Sequence, residues 1–265
     1  MKTVAAVLAL VLTLLLGPLA GAAEATVFLE DMTWTEVRDA VAAGRTTIIV
    51  PVGGTEQSGP HMALGKHNVR AHVLAGRIAS QLGNALVAPV VAYVPEGDVA
   101  GTGGHIRFAG TISVTPEAFK GVLEGAARSF RRAGFRDIVL IGDHGGYQSD
   151  LAAVAAKLNR EWAATPVRVH FIAEYYKAQA EPFAAALRQR GLTDAQIGTH
   201  AGSADTSLML AVDPRLVRAD RLVQPPAAAD GTYGDPRPST ATLGQAGVDL
   251  IVAASVNAIR KAAVR

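Results

Sequence analysis

The chain has no cysteine in 265 residues. That excludes disulfide staples, thiolate zinc sites and thiol nucleophiles, so stability has to come from a buried core and from subunit contacts. Charge of one sign is also lacking: 25 Lys and Arg stand against 23 Asp and Glu, a formal net charge of +2. The basic residues are scattered apart from the pair Arg131 and Arg132, which reads as a solvated helix face, and nucleic acid is therefore not an expected partner. Beyond the N-terminus the sequence offers no segment expected to cross a membrane, the apolar stretch from Leu250 to Ala258 being too short.

Several catalytic signatures are absent too. Gly54 and Gly59 have phosphate-loop spacing but lack the Lys and Ser/Thr that such a loop needs, and Gly101 to His105 neither follows a strand turn nor opens a helix. There is no G-x-S-x-G nucleophile elbow and no H-E-x-x-H helix.

What is present begins with MKTVAAVLALVLTLLLGPLAGAAEA. A basic start at Lys2, an apolar run from Val4 to Leu16 and small residues around Ala20 to Ala25 describe a secretory signal peptide over residues 1–25, cleaved near 22–25. The expectation is an exported protein, periplasmic or secreted, free of the membrane after cleavage. The remaining residues, 26–265, suit a single domain.

Within that domain strand-like and helix-like segments alternate. Thr33 and Glu36 form a capping box ahead of a short helix. The run TTIIVPV, Thr46 to Val52, has the continuous β-branched character of a strand buried on both faces. A helix is predicted over 68–82, a strand over 85–94, a helix from Pro116 to Ala133 stopped by Gly134, and a strand at Asp137 to Gly142. A helix over 149–163, a strand over 167–172 and helices near 175–190, 202–211 and 243–263 complete the pattern. Such alternation predicts an α/β protein whose mainly parallel central sheet is covered on both faces. Two Pro/Gly-rich stretches, Pro95 to Gly110 and Pro225 to Pro238, exceed ordinary connections, and loops of that length usually line a site or reach a neighbouring subunit.

The two densest polar clusters, Gly53 to Asn68 and Asp143 to Ser149, each directly follow an apolar strand. In open parallel sheets ligands bind beyond the carboxyl ends of the strands, which puts both clusters on one functional edge. Glu56, His61, His67, His105, His144, His200 and Asp205 all fall in or near loops, whereas His72 and His170 fall in regular segments and read as structural.

At this point the residues resemble a known family. Pro51-Val52-Gly53-Gly54-Thr55-Glu56-Gln57-Ser58-Gly59-Pro60-His61 resembles the P-x-G-S-x-E-Q-H-G-P-H-L-P signature of creatininases, the creatinine amidohydrolases. Phe108 to Ser113 resembles F-P-G-T-[IL]-S, and Gly134-Phe135 with Ile138 to Gly146 resembles G-F-x-x-[IV]-x-x-x-N-G-H-G-G-N. His200 to Ser207 resembles H-A-G-x-x-E-T-S, and Gly231 to Pro236 resembles G-x-x-G-D-P.

The resemblance implies a three-layer α/β/α sandwich, oligomers that are often hexameric, and hydrolysis of non-peptide C–N bonds in small or cyclic amides by metal-activated water. Of the implied metal ligands, Glu56 and His144 match. Ser58 stands where a second ligand His is expected, and His67 where an Asp that bridges two metals is expected. A neutral imidazole has one free lone pair and cannot bridge, so the pattern predicts one ion on Glu56, His67 and His144. Two His and one carboxylate suit zinc, with manganese or iron accepted by the same groups.

The resemblance further makes His200 the candidate general acid/base, with Asp205 orienting it or serving as a fourth ligand. His61, His105, Asp143 and Tyr147 are expected to line the substrate pocket. The expected partners are a small-molecule substrate and, by resemblance, further copies of the chain. The alternative is a non-catalytic periplasmic protein that binds a small molecule or metal on the same fold.

Overall fold

The computed structural model describes residues 26–223 and 225–264. The predicted signal peptide lies outside the described residues.

Among the described residues four parallel strands form the sheet: β1 (Thr47–Val52), β2 (Ala85–Val87), β3 (Asp137–Gly142) and β4 (Arg168–Phe171), in the order β2-β1-β3-β4. Helix α1 (Trp34–Ala42) precedes β1, and α2 (Lys66–Leu82), α3 (Pro116–Arg132) and α4 (Gln148–Glu161) connect the successive strands. After β4 come α5 (Glu174–Ala178), α6 (Ala184–Gln189), α7 (Asp194–Ile197), α8 (Ser203–Val212), α9 (Ala219–Leu222) and α10 (Ala241–Ala263).

The sandwich follows from side-chain alternation in the central strand. Ile49 faces a core built with Leu74 and Ile78 of α2, Leu208 of α8, and Val248 and Ile251 of α10. Its neighbours Ile48 and Val50 face the opposite core, built with Phe119 and Leu123 of α3 and Leu151 and Leu158 of α4. Every residue of β1 is buried, as expected for a strand with helices on both sides.

The predicted elements match closely where local chemistry is strong. Thr33 and Glu36 exchange both bonds of the capping box, and Thr115 caps α3 with Pro116 behind it. The helix predicted near 175–190 is present as α5 and α6 joined by a π-turn at Gln179–Phe183, which contains Pro182.

Two expectations need correction. The strand predicted over 85–94 forms only at Ala85–Val87, because Pro89 has no N–H for the ladder, and the segment rejoins β1 by a single bridge between Val52 and Val91. The C-terminal segment, expected to be too short to span a membrane, is a helix of 23 residues apolar enough to do so by composition. Its Val248, Ile251, Val252, Val256 and Ile259 are spent on the core instead.

The order β2-β1-β3-β4 has a functional consequence. From β1 the chain runs outward to β2 and then returns across the sheet to β3, so the connections leave β1 and β3 on opposite sides. The crevice at the carboxyl ends of these two adjacent strands is the switch point where parallel sheets bind ligands.

Candidate metal centre

Both polar clusters open into that crevice. Glu56 follows β1, and Asp143 and His144 follow β3, with Asp143 N–H bonded to Val52 O at 3.0 Å across the strand ends. Tyr147 ties the two loops together: its hydroxyl lies 2.9 Å from Val52 O and 2.5 Å from Gly53 O and accepts the His144 N–H at 3.0 Å. The start of α2 delivers Lys66, His67 and Arg70 on one face, and α8 delivers Asp205. The two long loops close the site from above. The first carries Glu96 and His105; the second places Gly231 O on the Gln57 side chain and pairs Tyr233 with His200.

Glu56, fully buried, is the hub. Its Oε1 lies 2.8 Å from His67 Nε2, 3.7 Å from His200 Nδ1 and 3.9 Å from Lys66 Nζ. Its Oε2 lies 3.3 Å from His105 Nδ1 and 3.7 Å from His144 Nε2. Among the described residues two sets have one donor atom per residue mutually within 4.8 Å: Glu56, His67 and His144, the predicted set, and Glu56, His105 and His200. The second is already engaged by Gln57, whose Nε2 is 2.7 Å from His105 Nδ1 and whose carbonyl is 2.9 Å from His200 Nε2.

The donor set fits a cation. His67 lies between two carboxylates, Nδ1 2.5 Å from Asp143 Oδ1 and Nε2 2.8 Å from Glu56 Oε1; with its Nδ1 proton given to Asp143, Nε2 is the nitrogen free for an ion beside Glu56. His200 likewise donates from Nε2 to Gln57 O and aims Nδ1 at the same carboxylate. Glu56 Oε2 and Glu96 Oε1 are buried without any hydrogen-bond partner. Lone pairs gathered around a buried carboxylate repel one another unless a positive charge lies between them, which a divalent ion supplies.

Titration follows the same electrostatics. Burial pushes the Glu56 carboxyl up, but the His67 hydrogen bond and the charges of His67, Lys66 and His144 outweigh it and hold the group well below the usual carboxylate range. Glu96 is less compensated: burial, then the Glu56 charge and a side-chain hydrogen bond with Glu56, outweigh the pull of Lys66 and push it up to about 9. Burial, aided by the charge of His67, pushes His144 down to about 4, and burial with Lys66 pushes His200 down to about 3. Both rings are therefore neutral at ordinary pH, the state that binds metal or accepts a proton.

Beneath the hub lies a buried ionic network. Asp143 bonds Arg70 Nε at 2.8 Å and Tyr175 Oη at 2.7 Å as well as His67. Asp205 accepts from Lys66 Nζ, Arg70 Nη1 and Ala201 N, each at 3.0 Å, and from Gln179 at 3.3 Å.

The structure places some candidates away from their expected roles. Asp143 and Tyr147 are expected to line the pocket, but they are buried beneath the site, where they hold His67 and the His144 loop in place. His61 is also buried, bonding Thr206 Oγ1 at 3.0 Å, with its ring held neutral by burial and by Lys66 down to about 4. Asp205 does not hold His200 by a hydrogen bond; its oxygens are given to Lys66, Arg70, Gln179 and the Ala201 backbone. His105 does reach Glu56, and His67 sits in the first turn of α2 rather than in a loop. His72 stacks on Phe28 and His170 bonds Asp137, both remote from the crevice.

Sequence reasoning missed Glu96, Gln57, Lys66 and Arg70. Lys66 and Arg70 flank His67 with i, i+4 spacing on one helix face, a signal legible in principle. Glu96 lies in a loop whose length already marked it.

Comparison with known proteins decides the family. A sequence model described as creatinine amidohydrolase, of the creatininase family, matches residues 30–259. The chain belongs to the creatininase family. The creatinine amidohydrolase of Pseudomonas putida is 30% identical over 215 residues, covering 78% of this chain and 80% of that protein. The mycofactocin precursor peptide peptidase of Mycolicibacterium smegmatis is 33% identical over 184 residues, covering 66% of this chain and 62% of that protein.

Among solved structures, a single-substitution mutant creatininase superposes with a TM-score of 0.77 at 27% identity, over 91% of this chain and all of that one. A manganese creatininase gives 0.73 at 28% identity, over 90% and 99%. As a creatininase-family protein the chain is a metal-dependent amidohydrolase by fold, and the cluster on Glu56 is its candidate centre for a divalent metal.

Proposed function

We propose that this creatininase-family protein is an exported hydrolase that cleaves a non-peptide C–N bond of a small linear or cyclic amide, with one divalent ion per subunit on Glu56, His67 and His144. The observation that carries the reading is the convergence of unprotonated nitrogens and orphaned carboxylate oxygens on Glu56. When bound, the ion lowers the pKa of its water to roughly 7 and polarises the amide carbonyl.

Charge supports a single ion. The centre buries four carboxylates, Glu56, Glu96, Asp143 and Asp205, against two cations, Lys66 and Arg70. One divalent ion brings that set to neutrality when all four are ionised. A second would leave a buried excess of positive charge, which a low-dielectric site resists. Zinc is favoured for this set, with manganese or iron as alternatives.

His200 supplies the proton chemistry. Its Nδ1 faces Glu56, and the ring also borders a cavity of about 180 Å³ lined by Tyr176, Gln179, Thr199 and Asp205. That volume suits a small substrate, and a neutral base beside it can take a proton from water and return it to the leaving nitrogen. Creatinine, the substrate named for the Pseudomonas putida relative, is not favoured here, because Ser58 and His67 replace residues of the family's metal shell. Residues 1–25 support export, and the family resemblance supports a homo-oligomer, with a hexamer the state it implies.

Metal analysis of the purified protein, together with turnover of a panel of lactams, cyclic ureas and small amides, tests the reading. One equivalent of ion and turnover abolished by both His67→Ala and His144→Ala are expected. Absence of any stoichiometric divalent ion overturns the metal claim, and tight ligand binding without turnover assigns the site to binding alone.

A further inference from the structure

The tips of the two long loops that close the site are tied to the rest of the fold at few points. Among the described residues, hydrogen bonds leave the first loop at two places between Asp98 and Gly110: His105 bonds the Gln57 side chain, and Arg107 Nη2 donates to Ala228 O at 3.3 Å. Ala228 belongs to the second loop, so that bond joins the loops to each other. From Pro225 to Thr232 the second loop reaches the fold through Gly231 O, which accepts from Gln57 Nε2 at 3.2 Å. Both tips therefore depend on one side chain.

Gln57 is 5% exposed, and its amide has a partner for every polar group. Oε1 accepts the Gly59 N–H at 2.9 Å, and the two Nε2 protons go to Gly231 O and, at 2.7 Å, to His105 Nδ1. A third neighbour, His200 Nε2 at 3.1 Å, gives its own proton to the Gln57 carbonyl. Turning the amide over would set an oxygen against Gly231 O and an N–H against the Gly59 N–H, so its orientation is fixed. Glu56 Oε2 lies 3.3 Å from His105 Nδ1 but has no hydrogen-bond partner, which leaves the ring held by Gln57. The second loop is shaped to the same amide: a Cβ at Gly231 would overlap Gln57 Oε1.

We infer that Gln57 is a positioning residue whose side chain latches both long loops over the centre. It holds His105 edge-on to His200, with 4.3 Å between ring centroids, and beside Glu56. Release of this one side chain frees both tips together, since Arg107 and Ala228 join them, and uncovers the crevice. Only the kinetic consequence rests on reading the centre as catalytic; the attachment of the loops stands on the hydrogen bonds alone.

The test uses the mature protein and its Gln57→Met variant, which keeps the bulk of the side chain and removes its hydrogen bonds. Backbone hydrogen exchange is followed by mass spectrometry over 98–110, 225–232 and the strands β1 and β3, beside kcat and KM for the best substrate of the amide panel. Exchange in both loops should quicken about 10-fold or more relative to the strands, and kcat should fall by a similar factor. Unchanged exchange in either loop overturns the latch. An equal rise in loops and strands also overturns it, by assigning Gln57 to general stability, and a wild-type kcat with loosened loops overturns the positioning role. If Gln57→Met does not fold, Gly231→Ala displaces the same amide from the loop side. Quickened exchange at 98–110 then supports the latch, and unchanged exchange there overturns it. A wild-type protein that turns over no amide defeats the proposed hydrolysis, while the exchange arm still decides the latch.

Discussion

His67 shares its ring between two buried carboxylates, with Nδ1 2.5 Å from Asp143 Oδ1 and Nε2 2.8 Å from Glu56 Oε1. Asp143 is in turn locked by Arg70 and Tyr175, so the ring cannot turn without breaking that set. A carboxylate behind a metal-binding imidazole fixes its tautomer and raises its basicity. Asp143→Asn keeps the shape and removes the charge, and metal affinity measured by chelator competition should fall about 10- to 100-fold.

Lys66 stands between Glu56 and Asp205 with its ammonium fully buried. Removing one member of such a set leaves the others uncompensated, at a cost of about 3–5 kcal/mol. Lys66→Met should lower the urea midpoint of the metal-free protein accordingly, with the m-value unchanged.

The metal-free protein should be most stable near neutral pH. His61, His144 and His200 have folded values near 4, 4 and 3, below the ordinary 6.5, so below about pH 6.5 the unfolded chain binds more protons and stability falls toward pH 4. Asp143 and Asp205, held low mainly by Arg70 and Lys66 against burial, add to that loss in more acidic solution. Glu96 acts in the opposite sense. Protonated up to about 9 in the fold but ionised above about 4.5 when unfolded, it subtracts stability as pH rises toward 9. Thermal melts of chelator-treated protein across pH 4 to 9 should trace a maximum between these limbs, and a flat profile would contradict the burial of these groups.

Helix α10 approaches α8 at a glycine. A Cβ at Gly244 would lie 1.8 Å from Ser207 O, a backbone atom that cannot yield without separating the helices. Gly244→Ala should destabilise by about 3 kcal/mol in chemical denaturation. Gly121→Ala in α3, where a Cβ meets nothing within 4 Å, should instead stabilise by about 0.5–1 kcal/mol through helix propensity.

Much of the scaffold was legible because its signals are local. The buried run of β1, the DIVLIG strand of β3 and the caps at Thr33 and Thr115 each rest on a few adjacent residues and ordinary backbone chemistry. The placement of both polar clusters after strands was legible for the same reason. The second half of the 85–94 segment was not, because hydropathy alone does not register the donor that Pro89 removes from the ladder.

The sequence by itself determined the family, the layered α/β fold and the identity of Glu56, His67 and His144 as neighbours of the strand ends, since motif order and strand pattern are written along the chain. Only the tertiary structure decided that Asp143, Tyr147 and His61 lie beneath the site, that Asp205 answers to Lys66 and Arg70, and that Glu96 enters it. The reason is electrostatic and long-range. Which carboxylates are paired and which are left without a partner depends on what the sheet order and the loops bring together, and residues 40 or more positions apart, such as Glu56 and Glu96, meet only when the chain has folded.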